Sequence, residues 1–201
     1  MRRFSDAAAL QEAVLDSITR FQEKLTCSQV PAVARLWNYE GMGRSRTNFA
    51  PKDEEDLSDE LARWLRDDLA RKGVILNREV QLRRGKRADV IVDAISAVEN
   101  CIKQISIVIE VKGCWNRDVQ HAIRTQLVDD YLATNGLTHG IYLVGWYSCA
   151  RPANSGKTSV RSRRAGLKSL AGSNNWRYSG CFSDAFVNPP SETATPTISK
   201  V

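Results

Sequence analysis

The sequence predicts an α/β protein: a mixed four-stranded sheet flanked by helices, with an extra helix at the N-terminus. Three observations predict it. Apolar runs of strand-forming residues beginning at Val74, Arg87 and Gln104 follow one another through short polar links, which suits an antiparallel meander. A helical stretch separates the third run from a fourth, His139 to Tyr147, which suits a right-handed crossover to a parallel neighbour. The third run is apolar enough to lie at the centre of the sheet.

The elements follow in order. Leu10, Val14, Ile18, Phe21 and Leu25 recur at helical spacing and predict an amphipathic helix over residues 5–25. Residues 38–56 read as irregular. Ser58 is the expected N-cap of the next helix, with Asp59 and Glu60 in its first turn and Leu57, Leu61, Trp64, Leu65 and Leu69 as its buried stripe. That helix stops at Gly73. Strands are expected from Val74 to Leu82, Arg87 to Ile95 and Gln104 to Lys112, with a turn at Arg83–Lys86 and a polar loop over 96–103. Arg117 to Leu132 reads as the crossover helix, and residues 159–171 as a basic helix. The expected organisation is an N-terminal helix and loop over 1–52, a core with a basic C-terminal segment over 53–185, and a disordered tail over 186–201.

Composition narrows the function classes. The chain has 201 residues, 42% of them hydrophobic and 26% charged, which suits a globular domain. No apolar run nears the roughly 20 residues needed to span a bilayer, and the N-terminus lacks the apolar stretch of a signal peptide. The five cysteines are widely spaced, with no Cys-x-x-Cys pair, so free thiols and a cytoplasmic location are expected. Net charge is +6, and its distribution is uneven. Between Tyr131 and Ser183 there is no acid but seven bases: Arg151, Lys157, Arg161, Arg163, Arg164, Lys168 and Arg177. This segment is the expected footprint on a phosphate backbone.

The chemistry centres on Ile105-Ser-Ile-Val-Ile-Glu-Val-Lys-Gly113. Side chains alternate along a strand, so Glu110 and Lys112 share one face with Ser106 and Val108. A carboxylate and an ammonium in a strand this apolar are costly to desolvate unless used or well paired. About twenty residues upstream, Asp89 stands at the mouth of the second strand, with Asp93 as a lesser rival on the same face. Phosphodiester cleavage needs an activated water and neutralised charge on the phosphorane, and carboxylates holding Mg²⁺ supply both. Asp89 and Glu110 on neighbouring strands, the carbonyl of Val111 and Glu60 are the candidate oxygen ligands. Lys112 is placed to orient the attacking water and offset developing charge.

Glu60 on the first core helix, Asp89 on the second strand and Glu110-Val111-Lys112 on the third resemble the PD-(D/E)XK nuclease superfamily over roughly residues 55–150. Ala88 stands where that pattern often has proline. The resemblance implies a restriction-endonuclease-like core and Mg²⁺-dependent (or Mn²⁺-dependent) hydrolysis of DNA. It also implies Asp89 and Glu110 as metal ligands and Lys112 as catalytic base. Gln126 and Tyr131 look like the Gln-x-x-x-Tyr signature of the RecB-like branch, one residue too far apart. In an α-helix, positions five apart diverge by about 140°. Gln126 is carried over as a catalytic-site residue, and Tyr131 reads as core.

The remaining signals are weaker. Asn154-Ser-Gly-Lys-Thr158 lacks the leading glycine of a phosphate-binding loop, since position 151 is arginine. His121 and His139 are too few for a histidine metal site. Trp115, directly after the Glu-x-Lys strand, is placed either to stack on a base or to pack. Arg44 and Arg46 lie in a glycine-bearing loop. Expected partners are DNA and, through the apolar stripe of the N-terminal helix, a second copy or a larger defence or repair assembly. A non-catalytic or partner-activated DNA-binding module is the alternative to an enzyme.

Overall fold

The computed structural model of the chain describes residues 4–27, 32–40, 48–98, 101–147 and 179–187. Helix α1 (Ala7–Cys27) starts where the Asp6 carboxylate accepts the Ala9 amide at 2.8 Å. Its stripe does not face outward to dock a partner. Leu10, Val14 and Ile18 are fully buried and Phe21 and Leu25 nearly so. The helix packs on α2 (Glu54–Asp68) and on the sheet. Trp64 Nε1 donates to the Ser17 carbonyl at 2.9 Å, Ser17 Oγ to Asp68 at 2.6 Å, and the Phe21 and Trp64 rings lie 6.0 Å apart.

Between the two helices, the stretch expected to be irregular holds an antiparallel pair, β1 (Trp37–Glu40) and β2 (Asn48–Pro51). Helix α2 begins five residues before the expected start. Its cap is Asp53, whose carboxylate accepts the Asp56 amide at 3.0 Å, and Ser58 lies inside the helix with its hydroxyl on the Glu54 carbonyl. The first turn is therefore Glu54-Glu55-Asp56, acids that favour the positive end of the helix dipole.

The main sheet runs β3 (Val74–Arg83), β4 (Lys86–Val98), β5 (Cys101–Gly113), β6 (His139–Tyr147) and β7 (Ser179–Val187), in that spatial order. The first three are antiparallel, and β6 lies parallel to β5, as the meander-and-crossover reading expects. Strand β7, parallel to β6, is a fifth strand that the sequence reading did not anticipate, and it runs two residues into the expected tail. The loop expected over 96–103 is mostly strand, since β4 and β5 stay paired out to Val98 and Cys101.

The crossover is α3 (Ile123–Ala133), a π-helix that starts six residues later than the expected Arg117. The two faces of the sheet are told apart at β6. A Cβ on Gly145 would lie 2.6 Å from Leu57 of α2, whereas one on Gly140 would lie 3.0 Å from Leu127 of α3. Residues 140 and 145 point oppositely on a strand. Helix α2 therefore covers the face of Ile107, Ile109 and Val111, and α3 the face of Val108, Glu110 and Lys112.

No helix among the described residues is long and apolar enough to cross a membrane. Ile18→Ala leaves a cavity between α1 and the core. It is expected to cost about 2–5 kcal/mol in urea unfolding, within one cooperative transition. A loss below about 1 kcal/mol would mean that α1 is an accessory.

Candidate active site

Strands β4 and β5 pair from Val98–Cys101 up to Val90–Ile109 and then part. Backbone N–H groups point alternately to the two neighbours, so Val111 and Gly113 are the next to face β4. Both are claimed by carboxylates. Val111 N–H donates to Asp89 Oδ2 at 2.7 Å, and Gly113 N–H donates to Glu54 Oε1 at 2.8 Å. Asn116 Nδ2 adds a second bond to the same Glu54 oxygen at 2.8 Å. A Cβ on Gly113 would lie 2.5 Å from the Trp115 ring, so any side chain there would displace the indole. Trp115 thus packs over Gly113 and meets Tyr147 edge-on at 4.9 Å, the packing role of the two foreseen.

Glu110 and Lys112 lie beside this fork, 2% and 9% exposed. Lys112 Nζ is 2.6 Å from Glu110 Oε1 and 3.9 Å from Glu54 Oε2. Glu110 Oε2 is buried with no hydrogen-bond partner. The structure therefore brings Asp89, Glu110, Lys112 and the Val111 backbone together, and adds Glu54.

Glu60 is elsewhere. It is held by Arg63 of its own helix and, at 3.5 Å, by Arg35. Six residues separate it from Glu54, which rotates it by about 240° around the helix. Placing the cap at Ser58 put the wrong acid in the first turn; the Asp53-x-x-Asp56 spacing was the signal for the right one. Asp93 is spent on a different network, accepting from Asn77, Gln104 and Ser106 at 3.1, 3.2 and 2.6 Å.

On α3, Leu127, Tyr131 and Leu132 are buried and Gln126 Oε1 is buried without a partner. A π-helix, bonded from residue i to i+5, closes a turn in about 4.4 residues, so positions five apart diverge by only about 50°. Gln126 and Tyr131 therefore lie on nearly one face of α3. Tyr131 Oη donates to the Arg87 carbonyl at 2.7 Å, two residues before Asp89. Arg151, Lys157, Arg161, Arg163, Arg164 and Lys168, with the expected basic helix, lie outside the described residues, as do Arg44 and Arg46.

The electrostatics follow from burial. Desolvation, then the Asp89 charge, push the Glu110 carboxyl up to about 7, with Lys112 opposing. Burial also raises Asp89, against the Val111 amide and Lys112. Burial pulls Lys112 down, but Glu110, Glu54 and Asp89 together outweigh it, and the ammonium form is favoured. Among the described residues no group of three or more His, Cys, Asp or Glu side chains is arranged to hold a metal ion. Mg²⁺ nonetheless binds through few protein oxygens plus waters. The donor set here is all oxygen, and Glu110 Oε2 is an orphaned buried acceptor. The residues fit such an ion.

No family model, no curated protein and no solved structure matches this chain.

Because the folded-state pKa of Glu110 is raised from 4.5 to about 7, its contribution to stability is complete below pH 4.5 and is lost as pH rises through 7. In EDTA, the unfolding free energy of Glu110→Gln relative to wild type is expected to improve as pH rises from 4.5 to 8. A difference that stays constant over this range in urea titrations would contradict the raised pKa.

Proposed function

We propose that this chain is a metal-dependent nuclease of the PD-(D/E)XK kind, hydrolysing phosphodiester bonds in DNA. One observation carries the reading: an acid from each of β4 and β5 and one from the start of α2 converge on a buried lysine where the sheet opens. Buried charge of this density is costly to keep and clusters at functional sites. The excess of base in the acid-free segment 131–183 supports a polyanionic substrate.

Asp89 and Glu110 would hold Mg²⁺ or Mn²⁺, with the Val111 carbonyl as a further oxygen. Glu54 is placed to hold a water through its second oxygen. The ion, when bound, polarises the phosphoryl group and acidifies water. Lys112, as an ammonium, holds an oxygen of the water or phosphate and offsets the growing negative charge. A base role for Lys112 requires the carboxylate charge around it to be offset first, since burial alone favours the neutral amine. Gln126, with its unpartnered amide oxygen, is a candidate to orient a group at the site.

One observation favours a second reading, in which a partner activates the module. Glu110 is 2% exposed and its Oε1 is engaged by Lys112, so this carboxylate is shut off from solvent in this state.

Supercoiled and linear DNA incubated with Mg²⁺ or Mn²⁺ tests both readings, with EDTA as control. Metal-dependent cutting is expected. Glu110→Ala and Lys112→Ala should each lower it by about 10²-fold or more and Glu54→Ala by less, while Glu60→Ala leaves it unchanged. Full cutting by both pure Glu110 and Lys112 variants would overturn the nuclease reading. DNA binding without cutting would favour the partner-activated module.

A further inference from the structure

We propose that Arg78 is a positioning residue: its one guanidinium holds the first two turns of α2 and the backbone of β4 together, and so sets Glu54 and Asp89 relative to each other. Arg78 lies on β3, with 18% of its side chain exposed. Its Nε donates to Asp59 Oδ1 of α2 at 2.8 Å, and its Nη1 to the Asp89 carbonyl at 2.9 Å. Its Nη2 reaches the Glu55 carbonyl at 3.5 Å. The fork thus ends on Asp89 itself and on the residue next to Glu54.

A second observation lies one residue on. Arg78 pairs with Val90 and Val80 with Ala88, so Glu79 stands opposite Asp89 in the register. Glu79 has φ 49°, in the left-handed region, the one non-glycine among the described residues to do so. Such a conformation persists only where the surroundings impose it. Here the strand turns out of its extended form opposite Asp89, and the Asp89 carbonyl is taken by the guanidinium instead. The Glu79 carboxylate goes to Arg87 Nη1 at 3.0 Å. Arginine suits this task because its five donors sit in a rigid plane. Lysine offers one point charge and cannot span three acceptors on two elements.

The metal-binding consequence rests on the nuclease reading, but the clamp does not. The first readout is amide hydrogen exchange in the metal-free protein. The Val111 and Gly113 amides are bonded to Asp89 and Glu54, whereas Ile107 lies within the β4–β5 ladder. Arg78→Ala and Arg78→Lys are expected to speed exchange at Val111 and Gly113 by about tenfold while Ile107 is unmoved. The second readout is Mn²⁺ binding followed by the signal of the free ion. Both variants are expected to weaken it by about 10–100-fold, as loss of an outer-shell support does.

Should Arg78→Ala fail to fold, Asp59→Asn loosens a single arm and is expected to act in the same direction by about two- to threefold. The proposal is overturned if Lys fully restores both readouts, if all amides speed up together, or if Asp59→Asn and Arg78→Lys leave Val111 and Gly113 unchanged. Wild type that neither binds Mn²⁺ nor cuts DNA would sink the nuclease reading, while the exchange data would still decide the clamp.

Discussion

The parting of β4 and β5 beyond Val90–Ile109 is the constraint around which the site is built. A backbone N–H left unpaired inside a protein costs about 1–3 kcal/mol. Two such groups, on Val111 and Gly113, face the gap, and each is satisfied by a carboxylate. Asp89 and Glu54 are therefore not simply two acids that happen to be near each other. They complete the hydrogen bonding of the sheet where its own ladder stops, and this fixes their positions more firmly than side-chain packing would.

Glu110 and Lys112 stand on the face next to that gap and carry its cost. Each is costly to bury as a lone charge; together they offset each other, with one carboxylate oxygen left over. Strand β4 is steadied from both sides of the sheet. Tyr131 of α3 holds the Arg87 carbonyl and Arg78 holds that of Asp89, so the residues leading into the gap have little freedom.

Much of this was legible in the sequence, and the parts that were not share a cause. The strands were readable because a period of two is unambiguous in Ile105–Gly113, and the same alternation placed Glu110 and Lys112 on one face. Asp89 was readable as an acid at the start of an apolar run. Glu54 was missed because Asp53 and Ser58 are both good caps five residues apart, and the choice between them rotates a different acid into the first turn. The stripe of α1 was plain, but a stripe does not say what it packs on; Leu10 and Ile18 face the core of their own chain. The β1–β2 pair is short and β7, though longer, is mixed in character, so their strand character comes from their neighbours.

The π-helix changes what distance along the chain means. One extra residue in an α-helix is absorbed when a turn widens, and both flanks keep their seats. Gln126 and Tyr131, five apart in sequence, then fall on nearly the same face of α3. A search pattern with a fixed gap counts one extra residue as a mismatch, and an alignment that forbids gaps within helices shifts everything after it by one. For this chain the ruler that matters across α3 is the turn, and two proteins with the same pair of side chains in space would superpose only when a gap is opened in the middle of the helix.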